Sequence, residues 1–284
     1  MDYTSLENQP PMTAIISITH DDKYLFYLPL VAWAWNKLGC DVVVIGPDLG
    51  AETTDDRIEL IIDTRWEQDI SLHWLGFTAP ADKEATYAQC SRLYAACFRR
   101  LLPDEEVLIT SDVDMVVLGK EYIETAEDGR IHVYGADLVP EGQYPMCYVA
   151  MTGATWREVM GIQIGEAMQA KLDGLLGHLE CEHFRGNYWS KDQETIYNHL
   201  TEGGWIVVKH NRAKLPNQFA TRRADRDGWP AEIPPGLIDA HLPRPGYTDE
   251  NFAKIMNLFR SYYPNEDLQW MVDYRNKYIN LIKQ

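Results

Sequence analysis

The amino-acid sequence predicts an α/β fold in which helices cover a mostly parallel sheet. Residues 14–19 (AIISIT) and 41–45 (DVVVI) are short apolar runs, which is typical of buried strands. Between them, apolar side chains recur every three or four residues from Tyr24 to Leu38, as one buried helix face requires. Strand, helix and strand at this spacing indicate parallel strands, whose carboxyl ends form the usual ligand-binding edge.

The remaining elements follow in chain order. Pro29 is compatible with the first turn of the first helix, and Gly39 marks the end of that helix. Residues 58–62 (IELII) are interpreted as a third strand, and residues 83–102 predict a second helix that stops at Pro103. The later strand candidates are residues 107–110, 131–134, 147–151, 206–208 and 237–240, and the later helix candidates are residues 155–168, 248–260 and 268–282.

The sequence of 284 residues can be divided into three segments. Residues 1–12 are polar, include Pro10 and Pro11, and predict a flexible N-terminal arm. Residues 13–247 predict a single domain, because they carry all the strand candidates and no linker interrupts them. Residues 248–284 are amphipathic and predict a helical extension that packs on this domain or forms the face of a homodimer.

The charge balance restricts the partners of the protein. Forty-three acidic against 26 basic side chains give a formal net charge of −17, which disfavours a nucleic acid partner. The sequence has no long uncharged apolar run for a membrane span and no secretory signal, so we expect a cytoplasmic protein. The five cysteines lack CxxC spacing and are expected to be reduced thiols. An anionic ligand would need a bound cation or a few local arginines.

A pair of aspartates marks the main candidate site. Asp112 and Asp114 flank Val113 at the end of the apolar run VLIT, where two carboxylates can point into one cleft. Carboxylate oxygens suit Mg²⁺ or Mn²⁺, so this motif predicts a metal site. A second pair with the same spacing, Asp225 and Asp227, follows arginines instead of a strand and is given less weight.

An ordered series of motifs extends this interpretation. After the first strand–helix–strand unit come CSRLYAACFRRLLP, VLIT, SDVDMVVLG, MCYVAMTG, KDQETIYNHL and DAHLPRPG. With these motifs, residues 14–247 resemble the GT-A glycosyltransferases, particularly the glycogenin-like family 8 and the small soluble glycosyltransferases of large algal viruses. The resemblance implies a Rossmann-like, mostly parallel sheet with C-terminal helices. It also implies transfer of a sugar from a nucleotide diphosphate sugar, most simply a UDP-hexose, to a hydroxyl of a carbohydrate acceptor.

The same resemblance implies roles for individual residues. Asp112 would bind the ribose or the metal, and Asp114 would coordinate the Mn²⁺ or Mg²⁺ that bridges the phosphates. His241 looks like the third metal ligand, followed by Arg244 in place of a phosphate-binding lysine. Arg92 matches a basic position that faces the diphosphate sugar.

Further positions complete the predicted site. Asp192 and Gln193 match a catalytic Asp-Gln pair beside the donor sugar, where a carboxylate can act as a base or stabilise an oxocarbenium-like state. The predicted substrate-binding and nucleotide-binding set also includes Val113 and Asp137. Four residues at the ends of the first and third predicted strands are expected to contact the base and the ribose, namely Thr19, His20, Asp63 and Arg65. Tyr148 and Thr152 replace the usual Asn-x-Gly pattern of the family.

Alternative interpretations stay open at this point. A strand followed by DxDxV also describes the nucleophile motif of haloacid-dehalogenase-like phosphatases, with Asp112 as nucleophile. That family usually opens with this motif, which here follows some 110 residues. A catalytically silent sugar-nucleotide binder is the non-enzymatic alternative. His178, Cys181 and His183 could suggest zinc, but without an apparent fourth ligand a polar helix or an acceptor-side loop is preferred.

Overall fold

The computed structural model describes residues 12–48, 55–121, 126, 130–179, 188–211 and 222–283. Met12, which was assigned to the N-terminal arm, is the first residue of a strand, and the rest of that arm lies outside the described residues. Within the described residues, no helix has both the length and the apolar character that crossing a membrane would require.

A seven-stranded sheet forms the centre of the molecule. Its strands are β1 (Met12–Ser17), β2 (Asp41–Pro47), β3 (Leu72–Phe77), β4 (Val107–Asp112), β6 (Ile131–Tyr134), β7 (Val149–Thr152) and β8 (Val207–His210). Their spatial order is β3-β2-β1-β4-β7-β6-β8, and every neighbouring pair is parallel except those that β7 makes with β4 and β6. The predicted fold class, α/β with a mostly parallel central sheet, is therefore confirmed.

A second, small sheet continues from the end of β4. It contains β5 (Met115–Val117), β9 (Arg223–Ala224) and β10 (Asp239–His241) in the order β5-β10-β9. β10 is antiparallel to β5, with His241 opposite Met115. This register brings His241 next to Asp114, because Asp114 immediately precedes Met115 in the chain.

Helices cover both faces of the central sheet. They are α1 (Asp22–Leu25), α2 (Leu28–Lys37), α3 (Asp56–Glu67), α4 (Glu84–Ser91), α5 (Gly153–Val159), α6 (Met168–Leu176), α7 (Lys191–Glu202), α8 (Asp249–Tyr262) and α9 (Gln269–Ile282), with 3₁₀ helices at Arg92–Cys97 and Arg226–Gly228. Val42 and Val44 pack into one apolar cluster with α2, α8 and α9, whereas Val43 and Ile45 pack into another with α4 to α7. The alternation along β2 shows that both faces of the sheet are buried.

The two C-terminal helices are positioned by an aromatic cluster around Phe26, which follows α1. Its ring lies 5.6 Å from the ring of Tyr274 and 5.4 Å from that of Tyr278, both on α9, and 6.2 Å from that of Phe252 on α8. Phe26 and Tyr278 are fully buried. Burying several large aromatic side chains together stabilises the contact between these helices and the first helix of the chain.

The prediction of a third strand at residues 58–62 is wrong, because this segment belongs to α3. Asp55 caps the helix, accepting a hydrogen bond from the Arg57 backbone N–H at 3.0 Å. Ile58, Ile61 and Thr64 are buried at three-residue spacing, while Ile62 is 38% exposed. The short apolar run thus contains a helical stripe, and the third strand of the sheet is β3, further along the chain.

The helix predicted at residues 155–168 is also interrupted. α5 ends at Val159, and α6 begins only at Met168. Between them, Gly161 and Gly165 adopt positive φ angles of 58° and 80°, a conformation that ends a right-handed helix. The two glycines at positions 161 and 165 were therefore the sequence signal against one continuous helix.

Candidate active site

The loop after β1 lies at the carboxyl edge of the sheet, as predicted for Thr19 and His20. The Thr19 hydroxyl accepts a hydrogen bond from the Asp21 backbone N–H at 3.3 Å. The His20 backbone N–H donates to the Glu84 carboxylate at 2.6 Å, and its ring Nδ1 lies 3.3 Å from the other Glu84 oxygen. Arg57 donates to the His20 carbonyl at 3.1 Å. α3 and α4 therefore hold this loop at the edge where a ligand would bind.

A sharp turn separates the two aspartates of the DxD motif. Asp112 is the last residue of β4, and Val113 and Asp114 form the turn that leads into β5. Val113 is 4% exposed and its side chain belongs to the apolar core, so that side chain is not available to a ligand. The side chains of Asp112 and Asp114 contact different arginines, and the site therefore has two parts.

The first part, which we name the Arg92 bridge, consists of Arg92, Asp112 and Asp192. The Arg92 guanidinium donates to Asp112 Oδ1 at 2.5 Å and to Asp192 Oδ2 at 2.8 Å. It also donates to the Ser111 carbonyl at 3.2 Å. The side chain of Asp112 is 40% exposed, whereas those of Arg92 and Asp192 are buried. Arg92 therefore holds two carboxylates from distant parts of the chain in one place.

Burial and charge act in opposite directions within the Arg92 bridge. Burial lowers the pKa of Arg92, but the two carboxylates outweigh it, and the net shift is upward. Burial raises the pKa of the Asp192 carboxyl, and Arg92 opposes that shift. The guanidinium stays charged, and the bridge carries two carboxylates against one cation.

The second part, which we name the Asp114 cluster, consists of Asp114, Arg226, His241 and Arg244. Asp114 Oδ2 lies 3.1 Å from Arg226 Nη1, 3.4 Å from His241 Nε2 and 3.4 Å from Arg244 Nε. A second guanidinium nitrogen of Arg226 contacts His241 Nε2. Two arginines and an imidazole thus surround one carboxylate.

Asp114 is buried, with 4% of the residue exposed, and its surroundings shift the pKa of its carboxyl group. Burial raises its pKa to about 6, His241 and Arg244 oppose this shift, and Asp112 adds to it. Asp225 Oδ1 lies 3.6 Å from His241 Nδ1, on the other side of the imidazole ring. A carboxylate at that nitrogen orients the ring and favours a free electron pair on Nε2.

The segment that carries His241 and Arg244 packs on the loop after β1. Arg244 contacts the Tyr24 hydroxyl, and its guanidinium lies 5.1 Å from the centre of the Tyr24 ring. The Tyr27 hydroxyl donates to the Pro243 carbonyl at 2.5 Å. A Cβ atom at Gly246 would lie 2.4 Å from the Tyr27 ring, so glycine permits this close approach. These contacts tie the late DAHLPRPG motif to the first strand exit.

Gln193 follows Asp192 in the first turn of α7. Its backbone N–H donates to Asp192 Oδ1 at 2.8 Å, and its carbonyl accepts from the Tyr144 N–H at 3.2 Å. The side-chain Oε1 is buried, and no donor among the described residues reaches it. A buried amide oxygen without a donor is costly unless a ligand supplies one.

Asp137 lies half-buried in the turn after β6.

Asp63 and Arg65 do not lie at the edge predicted for them. Both are on α3, whose last turn runs toward the amino ends of the strands, where the Ser71 hydroxyl donates to Asp41 at the start of β2. Asp63 is exposed, and Arg65 donates to the Ile70 carbonyl at 3.4 Å. Their assignment to nucleotide binding depended on a third strand at residues 58–62. Because this segment is a helix, the structure gives that assignment no support.

The sequence interpretation missed Arg226 and Asp225. Both belong to the segment RRADRDG, whose aspartates were given less weight because no strand precedes them. β9 (Arg223–Ala224) lies within this segment and directly precedes Asp225, but it is only two residues long and pairs with β10. The one local signal was the concentration of arginines in an acidic chain.

The predicted metal ligands are only partly brought together. Asp114 and His241 converge, whereas Asp112 is paired with Arg92; in the described part of the chain, no group of three or more His, Cys, Asp or Glu side chains could hold a metal ion. Two bonds of about 2.1 Å to one cation leave their donor atoms roughly 3.0–3.5 Å apart, which fits the Asp114–His241 pair.

Of the three residues considered for zinc, Cys181 and His183 lie outside the described residues.

Comparison with known proteins adds similarities of fold. No protein-family model matches the chain, and no curated protein matches its sequence. The galactosyltransferase LgtC, solved with donor and acceptor sugar analogs, is 11% identical, with 94% of this chain and 96% of that chain covered and a TM-score of 0.48. The glycosyltransferase GlyE of Streptococcus pneumoniae is 10% identical, with 95% and 63% covered and a TM-score of 0.49.

A viral protein is similar as well. A glycosyltransferase involved in the glycosylation of the major capsid of PBCV-1 is 10% identical, with 88% of this chain and 100% of that chain covered and a TM-score of 0.40.

Proposed function

We propose that the chain transfers a sugar, most simply a hexose, from a UDP-sugar to a hydroxyl of a carbohydrate acceptor. The observation that carries this proposal is the opposite charge of the two parts of the site. The Arg92 bridge holds two carboxylates and one guanidinium, whereas the Asp114 cluster holds one carboxylate, two guanidiniums and an imidazole. Only Val113 separates Asp112 from Asp114 in the chain.

This polarity matches the charge that develops when a glycosidic bond to a diphosphate breaks. The leaving diphosphate gains negative charge, while the sugar becomes oxocarbenium-like and gains positive charge. Fixed groups of the opposite sign, oriented before the reaction begins, stabilise both charges. The Asp114 cluster is thus assigned to the diphosphate and the Arg92 bridge to the sugar.

The arginines of the Asp114 cluster resolve the mismatch between an acidic protein and an anionic donor. The net charge of −17 repels a diphosphate at long range, but Arg226 and Arg244, which both lie within 3.4 Å of Asp114, would attract a diphosphate bound beside that residue. Guanidiniums bind phosphate oxygens through paired N–H groups. Asp225 is half exposed on the far side of His241, where water screens its charge more strongly.

Two residues of the Arg92 bridge have different roles toward the sugar. Asp112 is the member whose carboxylate is open to solvent, and it is assigned to contact with the donor. Asp192 has both carboxylate oxygens hydrogen-bonded and is buried, so its charge acts on the sugar through space and through Arg92. Gln193 offers its unpaired Oε1 to a sugar hydroxyl.

The nucleoside is assigned to the loop after β1, with Thr19 and His20, and to Asp137 after β6. These residues follow strands that end at the same edge as β4. Asp114 and His241 are the residues that would hold Mn²⁺ or Mg²⁺, with Asp112 nearby. When bound there, such an ion supplies further positive charge for the leaving diphosphate.

A thermal-shift series followed by a hydrolysis assay tests the proposal. Nucleotide sugars are added with Mn²⁺ or with a chelator, and donor hydrolysis and transfer to glycan acceptors are then measured. We expect a UDP-sugar to raise Tm, because a ligand that binds only the native state stabilises it, and we expect slow release of UDP.

The same experiment separates the alternatives. Metal-dependent hydrolysis of an aryl phosphate without nucleotide-sugar binding would support the phosphatase. Tight binding without any hydrolysis or transfer would support the silent binder. In the described part of the chain, neither Asp112 nor Asp114 has a lysine among its ion-pair partners, which gives the phosphatase no support.

A further inference from the structure

One contact in the Asp114 cluster is unexpected for a site that would hold a divalent cation. The guanidinium of Arg226 reaches both side chains that would bind the ion: Nη1 lies 3.1 Å from Asp114 Oδ2, and Nη2 contacts His241 Nε2. Asp114 and His241 are themselves 3.4 Å apart. The guanidinium therefore lies against both ligand atoms at once.

The contact also constrains the imidazole. A guanidinium has only N–H donors, so a hydrogen bond from Arg226 requires His241 Nε2 to accept it and the ring proton to be on Nδ1. Nδ1 faces Asp225 at 3.6 Å. This tautomer, with a carboxylate behind the ring, is the one that a metal-binding histidine requires. The imidazole is thus prepared for a cation, and Arg226 supplies one from the chain itself.

We infer that Arg226 is a built-in cation, which contacts the ligand atoms of both Asp114 and His241 and must be displaced before Mn²⁺ or Mg²⁺ can bind to them. A guanidinium and a divalent ion cannot share this space, because they would need the same carboxylate oxygen and the same imidazole electron pair. Like charges at this separation also repel strongly where water is largely excluded.

The nucleotide decides where the displaced guanidinium goes. This step rests on the proposed function, since a diphosphate bound beside Asp114 offers Arg226 a pair of phosphate oxygens. The Arg226 side chain is 19% exposed and can reorient by rotation about its own bonds. The ion and the diphosphate should therefore bind cooperatively, each removing a cost from the binding of the other.

The inference predicts weak binding of the metal alone. When a site is open in only a fraction of the molecules, its apparent affinity falls by that fraction. Removing the guanidinium should remove this penalty. Arg226→Met is the appropriate variant, because it keeps an apolar stem of similar length and deletes the charge. Arg226→Gln serves as a second variant should the first fail to fold.

The test is the dissociation constant of Mn²⁺, measured by titration calorimetry on the full chain with and without UDP. Without UDP, we expect Arg226→Met to bind Mn²⁺ about tenfold more tightly than the natural chain, or more. Adding UDP should strengthen Mn²⁺ binding by a larger factor in the natural chain than in the variant. Arg226→Lys, which keeps the charge, should stay close to the natural chain.

A matched control lies four residues earlier. Arg222 pairs with Glu121 and with the Gly236 carbonyl, away from Asp114. Arg222→Met should leave the Mn²⁺ affinity unchanged, which shows that loss of any positive charge from an acidic chain is not sufficient.

Equal or weaker binding of Mn²⁺ by the Arg226→Met chain would overturn the inference, and so would the absence of Mn²⁺ binding to both proteins with and without UDP. These results differ from a failure of the proposed function. Tight Mn²⁺ binding by the variant, without binding of any nucleotide sugar, would keep Arg226 as the competing cation and remove the transferase assignment.

Discussion

The Arg92 bridge and the Asp114 cluster use the same types of side chain in opposite proportions. In the bridge, one arginine with a 4% exposed side chain satisfies two carboxylates. In the cluster, two arginines with 19% and 28% exposed side chains surround one carboxylate. The buried, hydrogen-bonded Arg92–Asp192 ion pair is rigid, whereas a partly exposed excess of cations can rearrange around an incoming anion.

The difference separates two tasks within one site. The bridge joins the 3₁₀ helix after α4, the end of β4 and the start of α7, and so fixes the geometry of the candidate sugar side. The cluster joins the turn after β4 to the late chain segment, and it leaves positive charge accessible for a phosphate. The predictions below test whether the two parts differ in this way.

The largest expected effect is on stability, from Arg92→Met. The substitution leaves the buried Asp192 without its cation, and an uncompensated buried charge typically costs about 3–5 kcal/mol. Urea unfolding of the variant and of the natural chain measures the change. Arg57→Met is the control, because Arg57 also pairs with two aspartates but is 24% exposed, and it should cost about 1 kcal/mol. Similar losses for the two variants would contradict the buried character of the bridge.

Asp114→Asn should reduce the rate more than the stability. It removes the charge that holds two arginines and His241 in place, and the loss of one preorganised electrostatic group typically lowers kcat by about 10²–10³-fold. Release of UDP from a UDP-sugar measures this change. Asp227→Asn is the matched control in the second DxD pair, since Asp227 is exposed, and it should retain full activity. An active Asp114→Asn enzyme would remove the cluster from the mechanism.

The pH dependence of stability should report on the same carboxyl group. Burial raises the pKa of Asp114 to about 6 in the folded chain, above the usual value of about 3.9. The folded state therefore binds the proton more tightly, and this group adds stability as the pH falls through about 6 and loses it as the pH rises. Between pH 7.5 and pH 5, the natural chain should gain about 1 kcal/mol relative to Asp114→Asn. The difference between their urea midpoints at the two pH values measures it, and parallel curves would show that Asp114 is not shifted.

The smallest expected effect concerns the residues that were assigned to a third strand. Asp63 and Arg65 lie on α3, away from the ligand edge, so Asp63→Asn and Arg65→Met should change the affinity for a nucleotide sugar by less than about twofold. Thr19→Val, at the exit of β1, is the comparison and should weaken binding more. A strong loss with Arg65→Met would mean that the nucleotide lies elsewhere.

Local patterns predicted most of the fold. The apolar runs of β1, β2 and β4 and the apolar spacing in α2 were sufficient, because a buried strand or helix face repeats over neighbouring residues. The same reasoning failed at residues 58–62, where a five-residue apolar run is compatible with both structures. Asp55 as a helix cap and the spacing of Ile58, Ile61 and Thr64 were the signals that could have corrected it.

The site could be predicted only in part, because its residues come from distant places in the chain. The motif order indicated Asp114 and His241, and the antiparallel register of β5 with β10 places them side by side. Nothing local indicates that Asp112 pairs with Arg92, or that Arg226 reaches across to Asp114. Such contacts depend on which side chains meet after packing, and a single sequence does not contain that information.

The sequence by itself therefore determined the fold class, the edge of the sheet where ligands would bind and the anionic character of the chain. These properties depend on the periodicity of apolar residues and on a sum of charges, both of which are local or additive. The tertiary structure alone decided how the charges are shared between Arg92 and Arg226. Burial and pairing of a charge depend on its neighbours in space, and those neighbours are fixed only when the sheets and helices have packed.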